Sequence, residues 1–327
     1  MKKILLSLVA IIAVLLNACE TDVDIIGDYK ETTVVYGLLN QDSNTYIKVN
    51  KAFLGAGNAL LMAKVEDSSL YKKDVEVMME EWDEDNLLRT ISLHDTVIDN
   101  KEDGIFYNPY QMLYFTDASL NDEYSYKLRV KVGDKEEVTA TTGLVNNFSV
   151  VRPISGGDFI KFLPESPVAN VVEWNLDQNA KVFEVLIRFN YKEKSAGQDT
   201  ILRNMEWYLG SISIDNQSIG SDLVVKYFAS DFYELCRERI PYDDPAKEQN
   251  VARRLPVNVE FIISVAAEEF ATYLQVNGPS NSIVQDRPQY TNIENGIGLF
   301  SSRYIKKRVK LLHPDSYANL EDMAIKF

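Results

Sequence analysis

The sequence predicts a mainly β protein built as two tandem β-sandwich domains, the second carrying helical insertions. Apolar residues recur at every second position in several stretches, as where Tyr124, Tyr126, Leu128, Val130 and Val132 alternate with Ser125, Lys127, Arg129 and Lys131. That period places one row in a core and the other in water. Turn formers such as Asn40 to Asn44, Asp83-Glu84-Asp85-Asn86 and Gly133-Asp134 punctuate these stretches at short intervals. A length of 327 residues, at roughly 100–200 residues per domain, gives about two domains.

The composition narrows the function classes. With 46% hydrophobic and 25% charged residues, 15 Gly and 10 Pro, the chain is neither collagen-like, nor low-complexity, nor a polytopic membrane protein. Lys and Arg number 34 against 49 Asp and Glu, a formal charge of −15. Such a field repels phosphate backbones and no basic patch counters it, so nucleic acid is not an expected partner.

The N-terminus is the most informative segment. Lys2 and Lys3 precede an apolar run from Ile4 to Leu16, interrupted only by Ser7. This run is shorter than the ~20 residues that cross a hydrocarbon core, so residues 1–18 read as a secretory signal peptide. Leu16-Asn17-Ala18-Cys19 then resembles the lipobox of bacterial lipoproteins: an aliphatic residue, a small residue before the cleavage point, and the Cys that receives lipid. Asn17 stands where a smaller residue is usual. The resemblance implies an acylated Cys19 that holds the mature chain in the outer-membrane bilayer, and several acyl chains anchor far more firmly than one. Loss of Lys2 and Lys3 takes the formal charge from −15 to −17. Residues 19–31 follow as a lipidated acidic tether. Its run Glu20-Thr21-Asp22-Val23-Asp24 is similar to acidic tags that send lipoproteins to the cell surface, and it reads equally as a solvated linker. Cys236 is the only other thiol, so no intrachain disulfide is expected, and with no His beside it the residue reads as a core or helix-face position.

The first β-sandwich domain is expected over residues 32–146. It opens with a hairpin of strands at 32–39 and 45–51 across the turn at 40–44, continues through a short strand at 75–79, and ends with strands near 124–132 and 137–142. The second is expected over residues 147–312. Its Val172-Glu173-Trp174, followed by Phe183, Val185, Ile187 and Phe189 on one face, resembles the second and third strands of a fibronectin type III domain, which implies an immunoglobulin/fibronectin type III-like sandwich. Val257, Val259, Phe261, Ile263 and Val265 form another strand. Ile305, Val309 and Leu311 close the sheet, with Lys306, Arg308 and Lys310 expected in water.

Two helices are expected in this domain. One, near 230–239, has Ser230-Asp231 as its cap and Pro241 beyond its end; the other, near 266–276, stops at Asn277-Gly278-Pro279. The apolar stripe Phe270, Tyr273 and Leu274 reads as core packing, with a ligand surface as the alternative. The charged stretch from Asp243 to Arg254 reads as an exposed insertion, and residues 313–327 form a C-terminal tail.

Taken in order, Cys19 with its acidic tether, Val34-Val35-Tyr36-Gly37-Leu38-Leu39, Tyr46 to Leu54, Glu269 to Leu274 and Asn292 to Phe300 resemble the uncharacterised lipoproteins classed as domain of unknown function 4249. The resemblance implies a non-enzymatic outer-membrane lipoprotein that works beside a TonB-dependent receptor in nutrient uptake. It brings no catalytic residues.

No motif points to catalysis, and the 49 acidic residues leave hydrolysis by a carboxylate pair as the one open enzymatic reading. The two histidines, His94 and His313, lie in no metal-binding or triad spacing, and no P-loop, dinucleotide, HExxH or GxSxG motif occurs. Asp22-Val23-Asp24 and Asp83-Glu84-Asp85-Asn86 offer hard oxygens without the full loop that spaces calcium ligands. No cofactor or metal is therefore expected. The candidate binding surface is the aromatic cluster Phe106, Tyr107 and Tyr110, which could stack on a sugar or plug a partner's pocket, although packing under a loop at a strand edge is the more ordinary role for such a cluster. The remaining alternative is an autonomous glycan-binding, peptide-binding or adhesive lipoprotein.

Overall fold

The computed structural model describes residues 30–54, 58–99, 102, 104–107, 110–176, 178–214, 222–278 and 289–327. The signal peptide, Cys19, most of the tether and Asn108-Pro109 lie outside the described residues. The fold is mainly β. Strands are β1 (Lys30–Leu39), β2 (Thr45–Leu54), β3 (Val75–Asp83), β4 (Asn86–Ile98), β5 (Gln111–Thr116), β6 (Ser125–Val132), β7 (Val138–Gly143), β8 (Val150–Arg152), β9 (Phe159–Ile160), β10 (Asn170–Asn175), β11 (Val182–Ser195), β12 (Ile201–Ser213), β13 (Asp222–Tyr227), β14 (Val251–Ala266) and β15 (Ile297–Leu312). Helices are α1 (Ala59–Ala63), α2 (Glu66–Ser69), α3 (Ala229–Arg239), α4 (Pro245–Asn250), α5 (Glu268–Asn277) and α6 (Pro314–Glu321).

One large mixed sheet runs β12-β11-β14-β15-β1-β2-β5-β4-β3-β6-β7, with β9 added to β15, and a small sheet runs β13-β10-β8. The N-terminal strands curl until β7 meets the approach to β15: Thr139 and Glu294 exchange backbone hydrogen bonds of 3.3 and 2.8 Å. Inside this curl lies one core, with Val35, Leu39, Ile47, Met79, Tyr126, Leu128, Val130 and Phe300. The other core lies between the small sheet and β11, β12 and β14, where Trp174 meets Phe183 at 5.5 Å and α3 inserts Phe232, Tyr233 and Cys236. Two layers facing across a shared core make this a sandwich-type arrangement. Cys236 is fully buried, and burial pushes its thiol pKa up.

β15 belongs to both cores. Its first half pairs in parallel with β1, from Val34 opposite Ile297 to Leu39 opposite Ser302, and its second half pairs antiparallel with β14, from Ala266 opposite Arg303 to Val259 opposite Lys310. Phe300 enters the first core, and Tyr304 and Leu312 enter the second.

The facing of β15 differs from expectation. Ile305, Val309 and Leu311 are exposed, whereas Lys310 is only 4% exposed. The period of two places Lys306, Arg308 and Lys310 in the same row as buried Tyr304 and Leu312, and the segment from Asn147 to Asp158 lies against that row. Lys306 donates to the Asn147 side chain, Arg308 to Ser155 Oγ at 3.0 Å and Val150 O at 3.3 Å, and Lys310 to the carbonyls of Gly156 and Gly157. Hydrogen bonds to this segment take the place of water around these cations, except at Arg308 Nε, which is buried with no partner among the described residues. The cap of α3 differs as well. Its N-cap is Phe228, with no side-chain capping bond, and Ser230 and Asp231 lie within the first turn.

Candidate functional site

The long connection between β4 and β5 carries the aromatic cluster and folds onto the outer face of β1 and β2. That face exists because alternate residues of the hairpin point outward: Val34, Tyr36, Lys48 and Asn50 share it, and Val35, Ile47 and Val49 point into the core. α1 stands beside it. Asn58 caps this helix by accepting from the amides of Leu60 (2.9 Å) and Leu61 (3.3 Å). The helix buries Ala63 and leaves Leu60 in solvent.

Hydrogen bonds hold the described part of the connection and the start of β5 beside it. The Tyr107 amide donates to the Ala63 carbonyl at 2.8 Å, the Tyr110 hydroxyl donates to Glu66, and Lys48 Nζ donates to Gln111 Oε1 at 3.4 Å. The rings of Tyr107 and Tyr110 meet edge to face at 5.5 Å. Glu66 is held below the usual carboxylate range by Tyr110 and by Lys72, and it pushes the Tyr110 phenol up to about 12. Tyr110 is thus a locked wall residue that keeps its proton.

Phe106, Tyr107 and Tyr110, with Val34, Tyr36 and Leu60, line a cleft of about 640 Å³. Phe106 is 60% exposed at its rim. The Oδ1 atom of Asn50, also in the lining, is buried with no hydrogen-bond partner among the described residues. A buried acceptor without a donor is costly unless something supplies one.

A second cleft of about 680 Å³ begins where the first ends, because Tyr36 lines both. Its walls are Tyr46, the 40–44 turn, Phe270 and Tyr273 of α5, and Arg303. α5 is fixed there by polar bonds to β15 and β7. Phe270 N donates to Ser301 Oγ at 3.2 Å, and Glu269 Oε2 accepts from Ser301 Oγ at 2.9 Å and Thr142 Oγ1 at 3.1 Å. Phe270 and Tyr273 therefore face a cleft, and Leu274 is exposed, where the helical stripe reads as core. Partial burial and the hydroxyl of Tyr273 push the Tyr36 phenol up to about 12.

The structure brings Phe106, Tyr107 and Tyr110 to one cleft. His94 lies in β4, while His313 caps α6 by accepting from the Asp315 amide at 3.2 Å. Asp83 to Asn86 form the tight turn between β3 and β4. Among the described residues no three of His, Cys, Asp or Glu are grouped to hold a metal, and no helix is long and apolar enough to cross a membrane. Sequence reasoning missed Tyr36 and Tyr46 as cleft residues. The signal was present: in Tyr46-Ile47-Lys48-Val49-Asn50, Tyr46 keeps step with the polar row.

No protein-family model matches the chain, and no curated protein matches it significantly.

Proposed function

We propose that this is a non-enzymatic, lipid-anchored outer-membrane protein that serves as a binding subunit of a TonB-dependent nutrient uptake system. The observation that carries the binding role is the cleft under Phe106, Tyr107 and Tyr110. It sets the exposed Phe106 ring and the half-buried Tyr107 and Tyr110 rings in one lining with an acceptor that has no partner among the described residues, on a paired sheet that does not need to rearrange. The lipobox-like Leu16 to Cys19 supports the anchor, and the ordered resemblance to lipoproteins of domain of unknown function 4249 supports the receptor partner.

The test is an affinity pull-down of the intact protein from its own outer membrane, with Cys19→Ala as control and mass spectrometry of what accompanies it. A stoichiometric β-barrel importer is expected with the acylated form. Recovery of the membrane-bound protein alone would overturn the uptake role and favour an autonomous surface binder, the reading that the second aromatic cleft supports by itself.

A further inference from the structure

We infer that the two clefts joined at Tyr36 form one groove for an acidic oligosaccharide, with sugar rings stacked along Tyr46, Tyr36 and Tyr273 and the anionic group set against Arg303. This rests on the binding role proposed above and adds a ligand class and a second half of the site.

The backbone argues for recognition by side chains. At Tyr36, β1 is hydrogen-bonded to β15 on one side and β2 on the other, and β2 is itself paired with β5 next to Tyr46. At Tyr36 and Tyr46 both strand edges are thus taken among the described residues, so an extended peptide cannot bind at these rings by adding a strand.

The side chains present aromatic faces beside small polar groups. Phe115 lies 5.0 Å from Tyr46, and Tyr36 lies 6.4 Å from Tyr273, edge to face. Tyr36 is opposite Lys48 in the register, which makes Tyr46 its diagonal cross-strand neighbour, about 7–8 Å away. The rings thus form a row across β5, β2, β1 and α5. Tyr36 is 42% and Tyr46 43% exposed, so ring surface faces solvent although both flank a structured cleft. Pyranose rings carry apolar C–H faces that pack on aromatic rings, and their hydroxyls need amide and hydroxyl partners. Asn40, Ser43 and Asn44 supply those in the same lining.

Charge selects the acidic class. In a chain of formal charge −15, neither cleft has an Asp or Glu among its described lining residues. Three nearby carboxylates are engaged: Asp42 accepts from the Tyr304 hydroxyl, Glu31 pairs with Lys51 at 3.9 Å, and Glu66 pairs with Lys72 at 3.0 Å. Arg303 is exposed, lines the second cleft and makes no ion pair among the described residues. A guanidinium offers a planar fork that matches a carboxylate or sulfate.

The test places the full-length lipoprotein, in mild detergent, on an array of neutral and uronate-containing tetrasaccharides, followed by calorimetric titration with the best acidic member. Binding of acidic members above their neutral counterparts is expected. Tyr46→Ala and Tyr36→Ala should each weaken binding about tenfold, and Tyr46→Phe, which keeps the ring, should retain it. Arg303→Gln should bring acidic and neutral members to the same affinity, with thermal stability unchanged. Absence of any oligosaccharide binding would overturn the inference. So would an acidic preference that survives Arg303→Gln, or affinity unmoved by loss of the Tyr36 and Tyr46 rings. Failure on the array with an importer still recovered in the pull-down removes the ligand class alone. Array binding without an importer removes the uptake role alone.

Discussion

Arg254 has no exposed surface and carries a full charge, so its partners must replace its hydration. Each of its three nitrogens has a partner. Nη1 and Nη2 make a fork to Glu248 at 2.8 and 2.7 Å, Nε donates to Glu193 at 3.0 Å, and Nη1 also reaches the Ile325 carbonyl at 2.9 Å. Tyr242 closes the cluster by donating to Glu193 at 2.6 Å. Arg254→Met would leave Glu248 without its fork and Glu193 with only Arg203, at 3.6 Å. We expect a loss of about 3–5 kcal/mol in urea unfolding, the range for breaking a buried ion pair from one side. The pH dependence follows from Glu248, whose carboxyl Arg254 holds below its ordinary 4.5. Because the folded value is the lower one, its contribution is fully present above pH 4.5 and is lost as pH falls toward the folded value. Urea midpoints measured across that acid limb should fall less steeply in Glu248→Gln than in the wild type. This cluster was not legible in the sequence, where Asp243 to Arg254 has the composition of an exposed insertion. Charge pairing, which spacing does not reveal, lets α4 and the start of β14 bring these residues inside. The cluster Phe106, Tyr107 and Tyr110 was legible because its aromatics are adjacent, whereas Tyr36, Tyr46 and Tyr273 come from three elements.

Among elements, the parallel pairing of β1 with β15 depends most on a single residue. Gly298 has φ +123°, and a Cβ there would lie 2.0 Å from the Val35 carbonyl oxygen. Both the backbone conformation and the approach of the two strands require glycine. Gly298→Ala should therefore cost upwards of about 1–3 kcal/mol, lower the melting temperature, and speed amide exchange first from Val34 to Leu39. Unchanged exchange in β1 would show that the pairing tolerates the bulk. Period-two patterning disclosed most strands, since β6 alternates buried and half-buried residues along its whole length. It did not disclose which row of β15 faces inward. Both rows there mix apolar and cationic residues, and the segment that shields Lys306, Arg308 and Lys310 lies some 150 residues earlier in the chain. The helix ends were easier to read, because Pro241 and Gly278 act locally and do not depend on distant neighbours.

At the scale of the whole molecule, β15 turns two cores into one cooperative problem. The first core needs Ile293 and Phe300, and its sheet needs Ile297 to Ser302 beside β1 and Glu294 beside Thr139. All of these arrive after the last strand of the second core's β11-β14 pairing has been laid down. A fragment of residues 30–146 would therefore expose one edge of β1, lose two core side chains and leave β7 unclosed, three deficits acting on one sheet. We expect that fragment to lack a cooperative thermal transition, and to gain one when a peptide of residues 289–303 is supplied in trans. The intact protein should then show a single calorimetric transition whose van't Hoff and calorimetric enthalpies agree, because melting either core withdraws β15 from the other. Two separated transitions, or a folded 30–146 fragment, would mean that each core holds without the shared strand. The groove's dependence on that strand can be tested in the same way. Tyr36 sits on β1, opposite Leu299, and Arg303 sits where β15 changes partner from β1 to β14. Loosening β15 by Gly298→Ala should therefore weaken both halves of the groove together, before either core melts.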